Sequence, residues 1–315
     1  MIGIYTKDEL IDGIYDLYET GGGVVFNTGF KSLAKHYQMK QGGVTDVTGY
    51  PGSGKSEFML ELLGNTSKFY GHKHLIHMPD AGTVHEVIAK LIHKRKGMQF
   101  KEFFYNENGD RVLVKNRLPK SMIDGAITEV LNDFIPFKPS DGKSSKAVTP
   151  VEFWEFAASK KEELNIFSAV IDSWNYMKHD TQGFSREDKW LESTLSRRND
   201  IAEQSGVHFV TIIHPRGATK DQNGEYVKPT MHSLKGGSEW ANNAKSIIIV
   251  HREGMMSQVD IAKAKPEIVG VKTSEPLMFG FELEKGKFFE FVDGEKQYAQ
   301  APRIESKTIK PNLEF

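Results

Sequence analysis

The sequence has no cysteine among its 315 residues. That excludes disulfide scaffolds, thiolate nucleophiles and cysteine-ligated zinc together, and it fits a reducing compartment. Long apolar runs are missing as well, since no stretch approaches the ~20 residues of a membrane-spanning helix. Net charge is close to absent: 41 Lys plus Arg stand against 42 Asp plus Glu, a formal charge of −1. No global basic field therefore advertises nucleic acid, and any such contact must rest on a local patch. The start, Met1-Ile2-Gly3-Ile4-Tyr5-Thr6-Lys7-Asp8-Glu9-Leu10, lacks the apolar core of a signal peptide and the arginine-rich, acid-poor bias of a transit peptide. The expectation is a cytoplasmic protein with no membrane segment. What is present, 38% hydrophobic and 26% charged residues, describes a globular chain holding one large α/β domain with appendages, or two small domains.

One stretch organises the rest. Gly49-Tyr50-Pro51-Gly52-Ser53-Gly54-Lys55-Ser56 reads G-x-x-x-x-G-K-S, between strand-like Val44-Thr45-Asp46-Val47-Thr48 and helix-like Glu57-Phe58-Met59-Leu60-Glu61-Leu62-Leu63. A strand, a glycine-rich turn and a helix start together make a phosphate-binding loop. Its backbone N–H groups converge on phosphate oxygens, and the helix start adds partial positive charge. Gly49, Pro51, Gly52, Ser53 and Gly54 form the cradle, Lys55 reaches the β- and γ-phosphates, and the Ser56 hydroxyl ligates Mg²⁺. The implied ligand is ATP or another nucleoside triphosphate.

Along the chain, Thr6 followed by Glu9 is a capping box that opens a helix with Leu10, Ile14 and Leu17 on one face. It ends at Gly21-Gly22-Gly23, so this helix either folds back on its own domain or docks on a neighbouring subunit. From Gly42 the pattern alternates strand and helix. Strands are expected at 74–78, 166–172, 207–214, 246–251, 258–263, 278–283 and 287–292. Helices are expected over 84–91, 121–133, 149–164 and 186–205. Residues 97–120 read as a β-hairpin insertion, and 139–146 as a polar loop. The fold class is α/β, a mostly parallel sheet with helices on both faces and antiparallel hairpin strands at its C-terminal end. The expected division is a helical segment at 1–23, a nucleotide-binding domain at 24–294 and a flexible tail at 295–315.

Asp172 ends the apolar run Ile166-Phe167-Ser168-Ala169-Val170-Ile171-Asp172, at the sheet edge where α/β folds place ligands. A carboxylate there can hold Mg²⁺ beside Ser56. Asp80, in Met78-Pro79-Asp80-Ala81-Gly82, is either a base that orients water or a turn aspartate before glycine. His214 ends another apolar strand and is either a γ-phosphate sensor or a solvent-facing strand end. The polar stretch from Arg216 to Lys235 is long for a loop inside a compact domain. Arg216, Lys220, Lys228 and Lys235 could meet a phosphate backbone, or be ordinary solvated charge.

Several stretches together resemble a known family. Thr28-Gly29-Phe30-Lys31-Ser32-Leu33, Gly43 through Phe58, Val170-Ile171-Asp172-Ser173-Trp174-Asn175, Ile213-His214-Pro215, Gly236-Gly237-Ser238-Glu239-Trp240 and Ile261-Ala262-Lys263-Ala264-Lys265 look like the helicase domain of Twinkle-type primase–helicases. These belong to the DnaB-like, RecA-fold ring helicases, and the likeness runs over roughly residues 10–292. It implies a RecA-like P-loop ATPase forming a hexameric ring, with ATP at subunit interfaces and 5′→3′ translocation on single-stranded DNA. It also implies that the first helix packs on the adjacent subunit, that Asp80 takes the place of a catalytic glutamate, and that His214 is the phosphate sensor. Lys263 and Lys265 would act in trans on the neighbour's γ-phosphate, and Arg252 would stack on the nucleotide base. The tail ending Asn312-Leu313-Glu314-Phe315 resembles a phenylalanine-terminated tail that contacts a polymerase, and a primase is the other implied partner. A phage or bacterial replication system is the implied setting.

Three departures stand out. Asp80 is one methylene shorter than glutamate, Lys265 lacks the planar fork of arginine, and Asp46 places an acid in a strand that should be apolar on both faces and so needs a buried partner. They support an alternative, a RecA-like ATP-binding assembly or loader factor with weak hydrolysis. A small-molecule P-loop kinase is a third reading, but it predicts an arginine-bearing lid, and residues 215–237 hold only Arg216.

Overall fold

The computed structural model describes residues 4–105, 108–139, 148–217, 220, 222, 224 and 226–302. Parts of the expected hairpin turn, the 139–146 loop and the loop after His214, and the terminal Asn312–Phe315 motif, lie outside the described residues.

The chain opens with helix α1 (Lys7–Thr20), whose Thr6 and Glu9 form the capping box and whose end is the left-handed Gly21. Strands β1 (Val25–Asn27) and β2 (Gln38–Lys40) make a small antiparallel ladder, and β3 (Val44–Thr48) then enters the main sheet. Helix α2 (Lys55–Tyr70), strand β4 (Lys73–His77) and helix α3 (Val84–Lys96) follow. The expected insertion is the hairpin of β5 (Phe103–Tyr105) and β6 (Arg111–Leu113). After it come α4 (Ile123–Leu131), β7 (Phe134–Pro136), α5 (Pro150–Ser159) and α6 (Lys161–Leu164). Then β8 (Ile166–Asp172), α7 (Glu187–Ser205), β9 (His208–Ile213) and α8 (Ser238–Asn243) lead into β10 (Ser246–Glu253). The chain closes with β11 (Met256–Ala264), β12 (Leu277–Glu282), β13 (Lys287–Val292) and β14 (Glu295–Gln297).

The 10-stranded sheet has the order β14-β13-β12-β11-β10-β3-β9-β8-β4-β7. From β10 to β7 every pairing is parallel, and from β10 to β14 every pairing is antiparallel. Period-two alternation divides the buried residues between two cores. Val47, Val170, Val210 and Ile212 face the side of α2, α3 and α4, while Val44, Ala169, Ile171, Phe209 and Ile213 face α5 and α7. Helices on both faces of the parallel strands put the loops that follow β3, β4, β8 and β9 at one edge, where an open α/β sheet binds ligands.

Three expectations needed correction. β7 was not foreseen, because its Pro136 argues against an interior strand; it forms the sheet's outer edge, where the missing N–H costs no ladder bond. The single helix expected to reach Leu164 breaks at Lys160 into α5 and α6. The tail expected from residue 295 begins as β14, paired to β13 through Glu290↔Gln297, and Gln300 N–H donates to Gly29 O at 2.9 Å. Among the described residues the α1 stripe is largely uncovered: Leu10, Ile14 and Leu17 are 45%, 60% and 52% exposed.

Candidate phosphate and metal site

The chain leaves β3 at Gly49, where a Cβ would lie 2.2 Å from the Val250 carbonyl oxygen and 2.5 Å from Ser53 Oγ. Only glycine fits against β10 there. Gly54 caps α2 with φ +90°, and no side chain accepts from the first amides of that helix. A helix start without a side-chain acceptor leaves its N–H groups free for an anion.

Lys55 is the first residue of α2 and is 5% exposed. Burial pulls its ammonium pKa down, while the charges of Asp172 and Asp80 hold it up. Asp172, at the last position of β8, is fully buried, and neither of its carboxylate oxygens has a hydrogen-bond partner among the described residues. Burial pushes its pKa up to about 6, against the pull of the adjacent Ser56 hydroxyl and Lys55. Thr48 Oγ1, Ser53 Oγ and Ser173 Oγ are buried and unpaired at the same edge. A native fold leaves few such groups unsatisfied. A cation held by Ser56 and Asp172, with phosphate oxygens on the loop amides, is what this donor set fits.

Asp80 and His214 are brought together from residues 134 apart in sequence: His214 Nε2 and Asp80 Oδ2 are 2.8 Å apart. The Asp80 backbone N–H also donates to Asp172 O at 3.0 Å. This ties the loop after β4 to the end of β8 and brings the three residues to one edge. His214 resolves from an isolated strand-end histidine into the partner of the candidate base.

No family model matches the sequence. The Twinkle homolog protein, chloroplastic/mitochondrial, of Arabidopsis thaliana is 23% identical over 281 residues, 86% of this chain. The match takes in 38% of that relative's length, so the chain spans little more than a third of it. Among solved structures, an ATPase domain superposes with a TM-score of 0.64 at 15% identity, over 92% of this chain and 100% of that one. A DnaB-like replicative helicase, solved for its interactions with primase, superposes with a TM-score of 0.65 at 16% identity, over 92% of this chain and 68% of that one. The fold is the RecA-type α/β fold shared with these two structures.

In this RecA-type domain the remaining candidates occupy separate places. Arg252 lies at the exposed end of β10 opposite Ser257, beside the phosphate loop, and its Nε donates to Gly254 O at 3.2 Å. Lys263 and Lys265 do not join the cluster; they sit toward the amino-terminal edge of the parallel strands, and Lys263 donates to Ala241 O at 2.6 Å. In the loop after β9, Arg216 N–H donates to Ser233 O, Lys220 lies 5.0 Å from the Tyr226 ring and Lys228 pairs with Asp260 at 3.0 Å. Lys235 offers its carbonyl to Trp240 Nε1 at 2.9 Å.

Two contacts were beyond the reach of the sequence. The Tyr226 ring packs 5.2 Å from that of Tyr50, so the polar loop touches the phosphate loop of its own chain. Asp46 finds the partner it required: Arg198 Nη1 and Nη2 donate to its two oxygens at 2.6 and 3.0 Å, with both side chains fully buried. The signal available for the first was only the aromatic pair of Tyr50 and Tyr226.

Proposed function

We propose that this chain is the motor of an ATP-dependent replicative DNA helicase, acting as a homohexameric ring on single-stranded DNA. The observation that carries the reading is the unpaired, buried Asp172 carboxylate beside Lys55 and Ser56, with Asp80 and His214 joined at the same edge. Loop amides and Lys55 bind the phosphates; Ser56 and Asp172 hold Mg²⁺, which when bound supplies charge neutralisation at the phosphate oxygens. Asp80 accepts a hydrogen bond from the attacking water and orients it. His214, bonded to Asp80 and opening the basic loop, links the state of the phosphate site to residues 216–235. The exposed stripe of α1 is the subunit contact, and the apolar groove of Ile88, Ile92, Phe100, Ile127 and Leu131 between α3 and α4 is a surface of matching character. A reducing, cytoplasmic setting, and a polymerase or primase partner reached through the C-terminal segment, complete the proposal.

A second reading has an observation of its own. Asp80 is already engaged by His214, and Lys263 by the end of α8, which favours slow turnover in an ATP-binding loader or assembly factor. ATP hydrolysis measured with and without poly-dT, together with native mass in a non-hydrolysable nucleotide, separates the two. Hexamers with DNA-stimulated hydrolysis support the motor. Rings whose hydrolysis ignores DNA would replace it with the loader, and a monomer that binds nucleotide would remove both.

A further inference from the structure

Asp80 stands in the short loop after β4, outside any strand or helix, so its place depends on what holds that loop. Its N–H and its carboxylate are tied to Asp172 and His214, at the ends of β8 and β9. A further tie comes from α3. Lys90 Nζ, from the middle of that helix, donates to the Ala81 carbonyl at 3.0 Å, one residue beyond Asp80. The same nitrogen lies 3.2 Å from Glu57 Oε1, in the first turn of α2 and one residue beyond Ser56. Lys90 therefore bridges the helix that opens at the phosphate loop and the loop that carries the candidate base. Glu57 is itself fixed through its other oxygen, 3.1 Å from Lys94 Nζ. Lys94, 8% exposed, reaches Glu61 at 3.3 Å and the Gly286 carbonyl at 2.9 Å. Lys90 and Lys94 are four apart on α3, and Glu57 and Glu61 four apart on α2, so each pair shares one helix face. Two short rows of opposite charge meet, and Lys90 extends them to Ala81.

Resting on the reading of Asp80 as the group that orients water, we propose that Lys90 is a positioning residue for it. Through the Ala81 carbonyl and the Glu57 carboxylate, Lys90 sets where Asp80 stands relative to the phosphate loop. It acts through the backbone next to Asp80 and not on the reacting atoms. A lysine suits this task. An ammonium carries three donors on a flexible stem, so one group serves a carbonyl and a carboxylate on different elements at once. The need is sharper for an aspartate than for a glutamate, because its shorter side chain has one fewer torsion with which to absorb a shift of the loop. A misplacement of about 1 Å can cost about 10²-fold in rate. The charge of Lys90 also reaches Asp172, where it favours the ionised carboxylate, so the two effects need separate readouts.

The test uses the full chain with MgATP and poly-dT. Lys90→Met keeps the apolar stem and removes the charge. It is expected to lower kcat about tenfold while KM for ATP stays within about twofold, because the phosphate loop is intact. Glu57 keeps Lys94, and the Lys90 side chain is 39% exposed. The melting temperature should therefore move by less than about 3 °C. Lys90→Arg, which retains charge and donors, should keep most of the rate. The deciding arm repeats Lys90→Met in an Asp80→Asn background, read as single-turnover rates. A residue that acts through Asp80 has nothing to position once that carboxylate is gone, so the tenfold loss should shrink to less than about twofold. An unchanged kcat in Lys90→Met, or the same loss in both backgrounds, overturns the assignment. A raised KM for ATP or a raised Mg²⁺ requirement with kcat unchanged overturns it in favour of Lys90 as a charge for Asp172. If the parent chain hydrolyses no ATP, or Asp80→Asn matches its rate, the functional reading itself fails and the positioning role with it. If Asp80→Asn is slow and Lys90→Met is not, the positioning role alone is lost.

Discussion

Two buried aspartates in parallel strands of one sheet, separated by β9, have opposite surroundings. Asp46, in the middle of β3, and Asp172, at the end of β8, are 1% and 0% exposed. Burial pushes both carboxyls up. Asp46 meets a bidentate guanidinium that is itself flanked by Trp154 and Trp240, with ring centroids 5.7 and 5.5 Å away. Asp172 meets the Ser56 hydroxyl and the Lys55 charge but no guanidinium fork of its own. The first acid is fully served by its own fold. The second is left short of partners at the edge where an α/β sheet takes its ligand, and that shortfall distinguishes a candidate site from a structural charge.

The largest effect should come from breaking the served pair. Arg198→Ala leaves Asp46 buried without its counter-ion and should lower stability by about 3–5 kcal/mol, read from the urea midpoint. The double replacement Asp46→Val with Arg198→Met should cost less than either single change, because no charge remains to be solvated. A double variant as unstable as the singles would mean that Arg198 matters for its packing against the tryptophans instead.

Asp172→Asn should behave in the opposite way. A pKa raised from 3.8 to about 6 corresponds to roughly 3 kcal/mol against the ionised form at neutral pH. The amide should therefore leave the apo protein as stable or more stable, while nucleotide-dependent hydrolysis falls to background. Loss of stability equal to that of Arg198→Ala would erase the contrast between the two acids.

How much of this was legible from residues alone follows the same division. Gly49–Ser56 is contiguous, and Asp172 ends an apolar run, so local pattern sufficed for both. Asp46 was visible as a misfit but its partner was not, since Arg198 lies 152 residues away on a helix of ordinary polar periodicity. The Asp80–His214 bond depends on β4, β8 and β9 lying side by side, which is topology rather than pattern. β7 and β14 were missed because three-residue edge strands give too short an alternation to register.

The pH response sharpens the comparison at a smaller scale. Burial lowers the pKa of His74 to about 3 and of His72, His77 and His208 to about 4. The unfolded chain therefore binds more protons than the folded one from pH ~6.5 down to ~4, and stability falls as pH drops through that window. Asp172 contributes the reverse: its folded pKa lies above its unfolded one, so the native state takes up a proton near pH 6 and gains stability as pH falls toward 3.8. Asp46 and Glu61, whose carboxyls burial also pushes up, act in the same direction as Asp172. The four histidines outnumber these three acids and predict net acid destabilisation, measured as a urea midpoint that declines below pH 6.5. In Asp172→Asn the decline should be steeper, and an identical slope would mean that Asp172 is not titrating in this range.

The smallest effect belongs to a contact at the candidate edge that burial does not enforce. Tyr226 is 45% exposed where it meets Tyr50, and an aromatic pair is worth about 0.5–1.5 kcal/mol. Tyr226→Ala should leave the urea midpoint unchanged within error, because an exposed loop contact lies outside the cooperative core. It should instead change nucleotide affinity by less than about tenfold, the equivalent of ~1.4 kcal/mol, since the loop it anchors rests on the phosphate cradle. Tyr226→Phe keeps the ring and should restore the parent affinity. Equal affinity in Tyr226→Ala and the parent would show that the two loops touch without being coupled, which would leave the Asp80–His214 bond as the connection between the phosphate site and the basic loop.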